Sequence, residues 1–354
     1  MSRSADVVII GFGIAGATLA RRLLEQGVSI AVFESPQRTA VTRGAGAIST
    51  MAGLRFGVIE QWQQWWSAAW NFYGAYDAIE PVACYRLLYR DDELRFWQRK
   101  RRLAIESDQA HEATLPDSIA SYLQPPQATV EIRRAARVCA ARVLDAIADQ
   151  LRSAMNATYL QRTIGECDIV PFCGGYEVGG ISCRHVVFCD GAWLASNRWF
   201  DWVPRMFARG QRIRGIFPTR ITTEPIWLSV AGKSLIIEGN QFTFGSTYDW
   251  SLLEPVVTED TTAHLCRQLS AFLHCEFQVS SAWAGVRPIT ADLRPIIGEH
   301  PVQKGMWVFN GLGSRGLLLA PRLADLLTTC IVRGCNCLDK WDVARFTDQA
   351  RFTR

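Results

Sequence analysis

The sequence predicts an α/β chain of two domains that opens with a Rossmann-like dinucleotide-binding unit. Three observations carry this reading. Residues 6–34 run strand, glycine turn, helix, strand. At 354 residues the chain exceeds what one ordinary core accommodates. A β-rich stretch from Arg205 to about residue 250 stands apart from the mixed helix-and-strand segments on either side.

The opening unit is the most informative. Val7 to Ile10 is an unbroken apolar, β-branched run, the pattern of a strand buried on both faces of a parallel sheet. Gly11, Gly13 and Gly16 follow with G-x-G-x-x-G spacing, and Ala15, Leu19, Leu23 and Leu24 then recur at helical intervals. Gly11 permits the tight turn, Gly13 removes a side chain that would hold the backbone away from a pyrophosphate, and Gly16 allows helix and strand to pack closely. The amides around Ile14 and Ala15 begin the helix, where unpaired N–H groups and the helix dipole favour an anion. Glu34 ends the next strand and Ser35 follows it. A carboxylate there accepts from both ribose hydroxyls and repels a 2′-phosphate, which predicts an adenosine with a free ribose.

Composition bounds the rest. Hydrophobic residues make up 49% and charged residues 20%, ordinary for a globular protein, and a net charge of +4 names no partner. Eleven cysteines in a chain this long, with the first strand starting by residue 6 or 7, predict reduced thiols in a cytoplasmic protein without a targeting sequence. The apolar stretch Val7–Ala20 is too short and glycine-rich to span a bilayer. The densest basic run, Arg99 to Arg102 with Arg86, Arg90 and Arg95 upstream, reads as a solvated face, with a phosphate-tracking surface as the sharper alternative.

Beyond the opening unit, residues 42–57 are small and glycine-rich. Arg43, Gly44, Ala45, Gly46 and Ala47 there would let backbone approach a flat ligand, with Arg43 near a phosphate and Arg55 facing the far end. Trp62, Trp65, Trp66 and Trp70 fall on one helical face, read as packing rather than as a lid. Gln124-Pro125-Pro126 marks an expected boundary, and Ala135–Met155 an amphipathic helix. A strand ending at Cys189 leads into Asp190-Gly191-Ala192-Trp193, and Asp260–Leu273 reads as helix. A strand at Met306–Phe309 then leads through Asn310–Gly316 into a helix reaching Ile331. Cys167, Cys173, Cys183 and Cys189 are expected as buried small residues, and the spacing of Cys330, Cys335 and Cys337 is poor for zinc, so no metal site is expected. One G-x-G-x-x-G supports one nucleotide site, without a separate pyridine-nucleotide domain.

Taken together, the opening unit, Arg209-Gly210-Gln211, Phe244–Thr247, Trp283–Pro288 and Gly311–Pro321 resemble the D-amino-acid oxidase and glycine oxidase family of FAD-dependent oxidoreductases. The last two stretches also look like the oxidoreductase half of the bifunctional enzyme that modifies the tRNA wobble uridine. The resemblance implies a discontinuous, non-covalent FAD domain (1–83, 126–205 and 284–354) and a separate antiparallel sheet over the flavin (84–125 and 206–283). It assigns Gly11, Gly13, Gly16 and Glu34 to the ADP half, Arg43–Ala47 to the flavin loop, Gly165 or Glu166 to adenine, and Asp190, Gly191 and Trp193 to the crossing below the cofactor. Gly313, Ser314, Arg315, Gly316 and Leu317 form a glycine-rich turn into a helix, whose amides suit the edge of a flavin that becomes anionic on reduction.

The resemblance further implies that Arg287 grips a substrate carboxylate bidentately, with Arg55 and Tyr248 as the other residues of the reaction site. The plainer alternative for Arg287 is an ion pair with Asp292. Glycine oxidases usually carry a tyrosine on a roof strand, followed by Pro-Arg; here Ser234–Glu238 stands there, which predicts a larger or unusual amine, with Tyr248 and Trp250 as replacements for the aromatic. The expected reaction is hydride transfer from a carbon bearing nitrogen, with oxygen as default acceptor. The alternatives are oxidation of a tRNA uridine, with Arg99–Arg102 as the RNA contact, and a flavin-bound scaffold or redox sensor without turnover.

Overall fold

The computed structural model describes residues 3–36, 46–53, 55–251 and 254–349. Strand Arg3–Ile10 lies between two parallel neighbours, Ile30–Glu34 and Ile181–Phe188. Ala157–Gln161 adds a parallel strand beyond the first, and Met306–Asn310 one beyond the second. Both faces of this sheet are covered, so Val7, Val8 and Ile9 are essentially inaccessible, as their unbroken apolar run requires. On one face lie the helices Ile14–Glu25, Trp62–Gly74, Ala140–Ser153 and Gly316–Arg333. On the other lie the 3₁₀ turns around Leu194–Phe200 and the C-terminal segment at Val343 and Phe346. Segments far apart in sequence thus build one nucleotide domain.

The second domain is an eight-stranded sheet in the order 278–290, 205–216, 241–245, 233–238, 226–230, 83–88, 128–132, 110–112. Its pairs are antiparallel except Ile226–Val230 with Ala83–Leu88, which run parallel because the chain crosses between domains between them. Helix Glu259–Ser270 seats Leu265 and Leu269 on the outer face, and helix Asp91–Glu106 buries Trp97 and Ala104.

Several sequence expectations are corrected. The double proline is a turn within the roof domain, since Ala128–Ile132 still pairs with Ala83–Leu88 and with Ala110–Glu112. The helix expected from Ala135 begins at Ala140; Ala135–Val138 is instead the centre of a three-stranded sheet with Ala47–Ser49 and Ile79–Pro81, tertiary pairing overriding helical spacing. Cys167 and Cys173 are exposed, flanking a surface hairpin, whereas Cys183 and Cys189 are buried. The tryptophan helix is packing: Trp62 and Trp65 are buried, Trp65 meets Trp341 edge-on at 5.5 Å, and Trp66 stacks on Trp70 at 5.7 Å. The basic run lies on the exposed side of helix Asp91–Glu106, where Arg101 and Arg102 pair with Glu112 and Glu106. Among the described residues no helix is long and apolar enough to cross a membrane.

Candidate active site

The two domains enclose a cleft of about 430 Å³, lined by apolar residues with a few convergent polar groups. Its nucleotide end is shaped by the glycine turn. Gly11 has φ +103°, and a Cβ there would lie 2.4 Å from the Cys189 carbonyl oxygen; a Cβ on Gly16 would lie 2.0 Å from the Gly11 carbonyl oxygen. No side chain caps the helix that starts at Ile14, and its first turn holds no acid, so its opening amides are available to an anion. Gly11, Gly13, Ile14, Ala15, Glu34 and Ser35 all line the cleft. Tyr159 donates a hydrogen bond to Glu34, fixing the carboxylate at the strand end. Asp190 accepts from Asn310 (2.8 Å) and Asn197 (3.2 Å), tying together the crossing where Asp190, Gly191 and Trp193 line the wall.

At the far end, Gly313–Leu317 lines the cleft as a 3₁₀ turn entering helix Gly316–Arg333, again with no acid in the first turn and no capping side chain. Pro321 lies inside this helix and has no N–H to offer the Leu317 carbonyl; the fully buried Tyr73 hydroxyl donates to that oxygen instead, at 2.7 Å. The helix start is therefore held in place despite the missing bond.

The second sheet supplies the other wall of the cleft. Among the described residues Arg287 hydrogen-bonds only neutral acceptors, the Ser246 hydroxyl and the Thr247 (3.3 Å) and Ala208 (3.5 Å) carbonyls, and its guanidinium lies 4.5 Å from the centre of the Tyr248 ring. Burial lowers its pKa, against the opposing effect of Tyr248. The Asp292 ion pair considered for it goes to Arg345 instead, at 2.8 Å. Tyr248 spans the cleft mouth by hydrogen-bonding Ser314. Gly210 is needed beneath Arg287, because a Cβ there would sit 2.2 Å from its Nη2. The neighbours Arg209 and Gln211 face the opposite side, where Arg209 bonds the Val256 carbonyl (2.6 Å) and Gln211 bonds Thr262 (2.7 Å).

The remaining expected residues fall as follows. Gly46 and Ala47 line the cleft, while Arg43, Gly44 and Ala45 lie outside the described residues. Gly165 and Glu166 do not line the cleft, whereas the preceding Arg162, Thr163 and Ile164 do; Glu166 pairs with Arg198 at 3.7 Å. Arg55 is exposed outside the cleft, 5.6 Å from the Phe96 ring, because the loop carrying it turns toward helix Asp91–Glu106. Arg86 lines the cleft instead, its guanidinium 4.3 Å from the Phe56 ring and 2.8 Å from the Gly53 carbonyl. Arg212, Trp227, Ser229, Lys233 and Ser234 also line it, and the sequence reading assigned none of them a role there.

A glycine turn, an acid at the end of the next strand and two uncapped helix starts along one cleft are the arrangement of a dinucleotide-dependent oxidoreductase. The family model described as FAD-dependent oxidoreductase (DAO) matches residues 6–329, and the chain belongs to that family. It is 24% identical to a glycine oxidase of Pseudomonas aeruginosa over 92% of this chain and 95% of the relative. It is also 24% identical to a bifunctional tRNA 5-methylaminomethyl-2-thiouridine biosynthesis protein of Marinobacter nauticus, over 98% of this chain but 58% of that protein. The crystal structure of glycine oxidase from Geobacillus kaustophilus superposes with a TM-score of 0.79 at 20% identity, covering 99% of this chain and all of the other. The chain is an FAD-dependent enzyme of the amine and amino-acid oxidase type.

Proposed function

We propose that the enzyme oxidises a carboxylate-bearing amine or amino acid at the carbon that carries nitrogen. FAD, when bound, supplies the two-electron acceptor. Arg287 carries the reading: a cationic fork in the cleft whose acceptors are all neutral is suited to a carboxylate in bidentate geometry. Holding that carboxylate fixes the neighbouring carbon, and fixed orientation supplies much of the rate. The C–H bond breaks with its electron pair leaving as hydride, the nitrogen lone pair closes a C=N bond, and water then yields a carbonyl compound and a free amine. Oxygen is the proposed final acceptor. Glu34 would hold the adenosine ribose, the helix start at Ile14 the pyrophosphate, and the helix start at Gly316 the flavin edge. The printed name of the Pseudomonas relative, a glycine oxidase, agrees with a carboxylate-bearing amine.

The test is anaerobic bleaching of the flavin band with a panel of amines and amino acids. A carboxylate-bearing amine is expected to bleach the wild type, and Arg287→Leu to raise the concentration required at least a hundredfold. Equal turnover of such a substrate by Arg287→Leu and wild type refutes the assignment.

A further inference from the structure

One carboxylate needs one guanidinium, and the neighbouring strands 205–216 and 278–290 place two side by side in the cleft. In the pairing of strands 205–216 and 278–290, Ala208 stands opposite Arg287, Gly210 opposite Gly285, and Arg212 opposite Trp283. Residues two apart on a strand share a face, so Gly210, Arg212 and Arg287 all point into the cleft. The Arg287 guanidinium lies over Gly210, one two-residue repeat or about 7 Å along the strand from Arg212. The stem of Arg212 crosses Gly245, where an added Cβ would lie 2.9 Å from the Arg212 Cγ. Gly245 is in register with Ser234, Ser234 with Ser229, and Ser229 with Arg86, so one lateral row of the sheet carries Arg212, Ser234, Ser229 and Arg86 along the cleft.

This row contains unused hydrogen-bonding capacity. Arg212 Nε, Ser234 Oγ and the nearby Trp227 Nε1 are all buried without a hydrogen-bond partner among the described residues, although all three residues line the cleft. Buried polar groups are paired in nearly all proteins, and an unpaired set converging on one cavity marks a place for a ligand group. Arg212 is also held next to a like charge: burial and Arg287 together lower its pKa to about 10, which still leaves it cationic at neutral pH. Two neighbouring cations, with Arg86 and Lys233 in the same cleft, accept two anionic groups better than one.

We propose that Arg212 and Ser234 form a second acid-binding subsite and that the substrate is an amine carrying two acid groups, one held by Arg287 and the other by Arg212. The subsite rests on the oxidase reading for the identity of the substrate, but its anion binding is measurable without turnover.

The experiment titrates the FAD-loaded enzyme with acetate, propionate and butyrate against malonate, succinate and glutarate, following the flavin visible spectrum. Iminodiacetate and D-aspartate are compared with N-methylglycine and D-alanine in anaerobic bleaching. In the wild type at least one diacid is expected to bind at least tenfold more tightly than the monoacid it extends by one carboxylate. In Arg212→Met that ratio should collapse to about one, with Arg212→Lys intermediate and Ser234→Ala also reduced. Retained visible flavin in each variant, and the conservative lysine, separate loss of the subsite from loss of the fold. Equal affinity for diacids and monoacids in the wild type, binding of neither, or a diacid preference that survives in Arg212→Met overturns the proposal. Diacid preference with no amine bleaching the flavin sustains the subsite and removes the oxidase reading. Amine bleaching without diacid preference does the reverse.

Discussion

Replacing Gly210 with alanine separates the function of Arg287 from the stability of the fold. A Cβ at 210 would lie 2.2 Å from Nη2, 2.4 Å from Nη1 and 2.6 Å from Cζ of Arg287. Ordinary contact is about 3.5–4 Å, so the guanidinium must withdraw by more than about 1 Å. Its bond to the Thr247 carbonyl, already 3.3 Å, does not survive such a move, and the fork loses its aim at the cleft. A hydrogen bond to a charged group contributes about 1.5–3 kcal/mol, equivalent to roughly a 10- to 150-fold loss in kcat/KM for a carboxylate-bearing amine. The clash falls on the movable end of a long side chain rather than on backbone, so unfolding free energy should change by less than about 1 kcal/mol. The assay is anaerobic flavin reduction alongside urea denaturation. Unchanged kcat/KM in Gly210→Ala would show that Arg287 does not position the substrate. A protein that fails to fold would show that the strain cannot be taken up at the guanidinium.

Three other perturbations address different parts of the site. Gly11→Ala combines an unfavourable φ of +103° with a backbone contact of 2.4 Å, and neither can relax; the purified variant is expected to lose visible flavin absorbance on desalting. Tyr73→Phe removes the donor to the Leu317 carbonyl that Pro321 leaves unserved, and should cost about 1–3 kcal/mol, read as a lower urea midpoint. The pH dependence of anion binding follows from Arg212, whose folded pKa of about 10 lies below its unfolded value. Its charge penalises the empty fold below that pH, and the penalty lifts as pH rises through it, while binding of an acid group is lost over the same range. Succinate affinity should therefore hold near neutral pH and fall above about 10. Lys233, also lowered by burial, Arg86, Arg287 and Tyr248 face the same cleft, so the part of the fall that is absent in Arg212→Met belongs to Arg212.

The nucleotide domain was legible because its determinants are local. Gly11, Gly13, Gly16 and Glu34 act within one strand–turn–helix–strand unit, and close backbone approach leaves no room for a side chain at Gly11 or Gly16. The boundaries were less legible. Pro125 and Pro126 break local hydrogen bonding equally well within a domain as between domains, and only the pairing of Ala128–Ile132 decides which applies. Ala135–Val138 shows the same limit, since its apolar spacing fits the helix that follows, while its partners, from Pro81 back to Ala47, lie far upstream in the chain.

The roof poses a different problem, because a strand carries two faces and a shift of one residue exchanges them. Arg209-Gly210-Gln211-Arg212 contains two candidate polar pairs. Residues 209 and 211 serve the outer face, where they bond the segment 256–262, and residues 210 and 212 serve the cleft. The sequence displays the alternation but not which set faces the cleft; that is settled by Arg287 opposite Ala208, 79 residues away in the chain on a partner strand that could have slipped. Once the register is known, the small residues become informative. Gly210 and Gly245 occur where a Cβ would strike Arg287 and Arg212, so the space kept clear by two glycines identifies the side chains the cleft requires more directly than the charged residues themselves do.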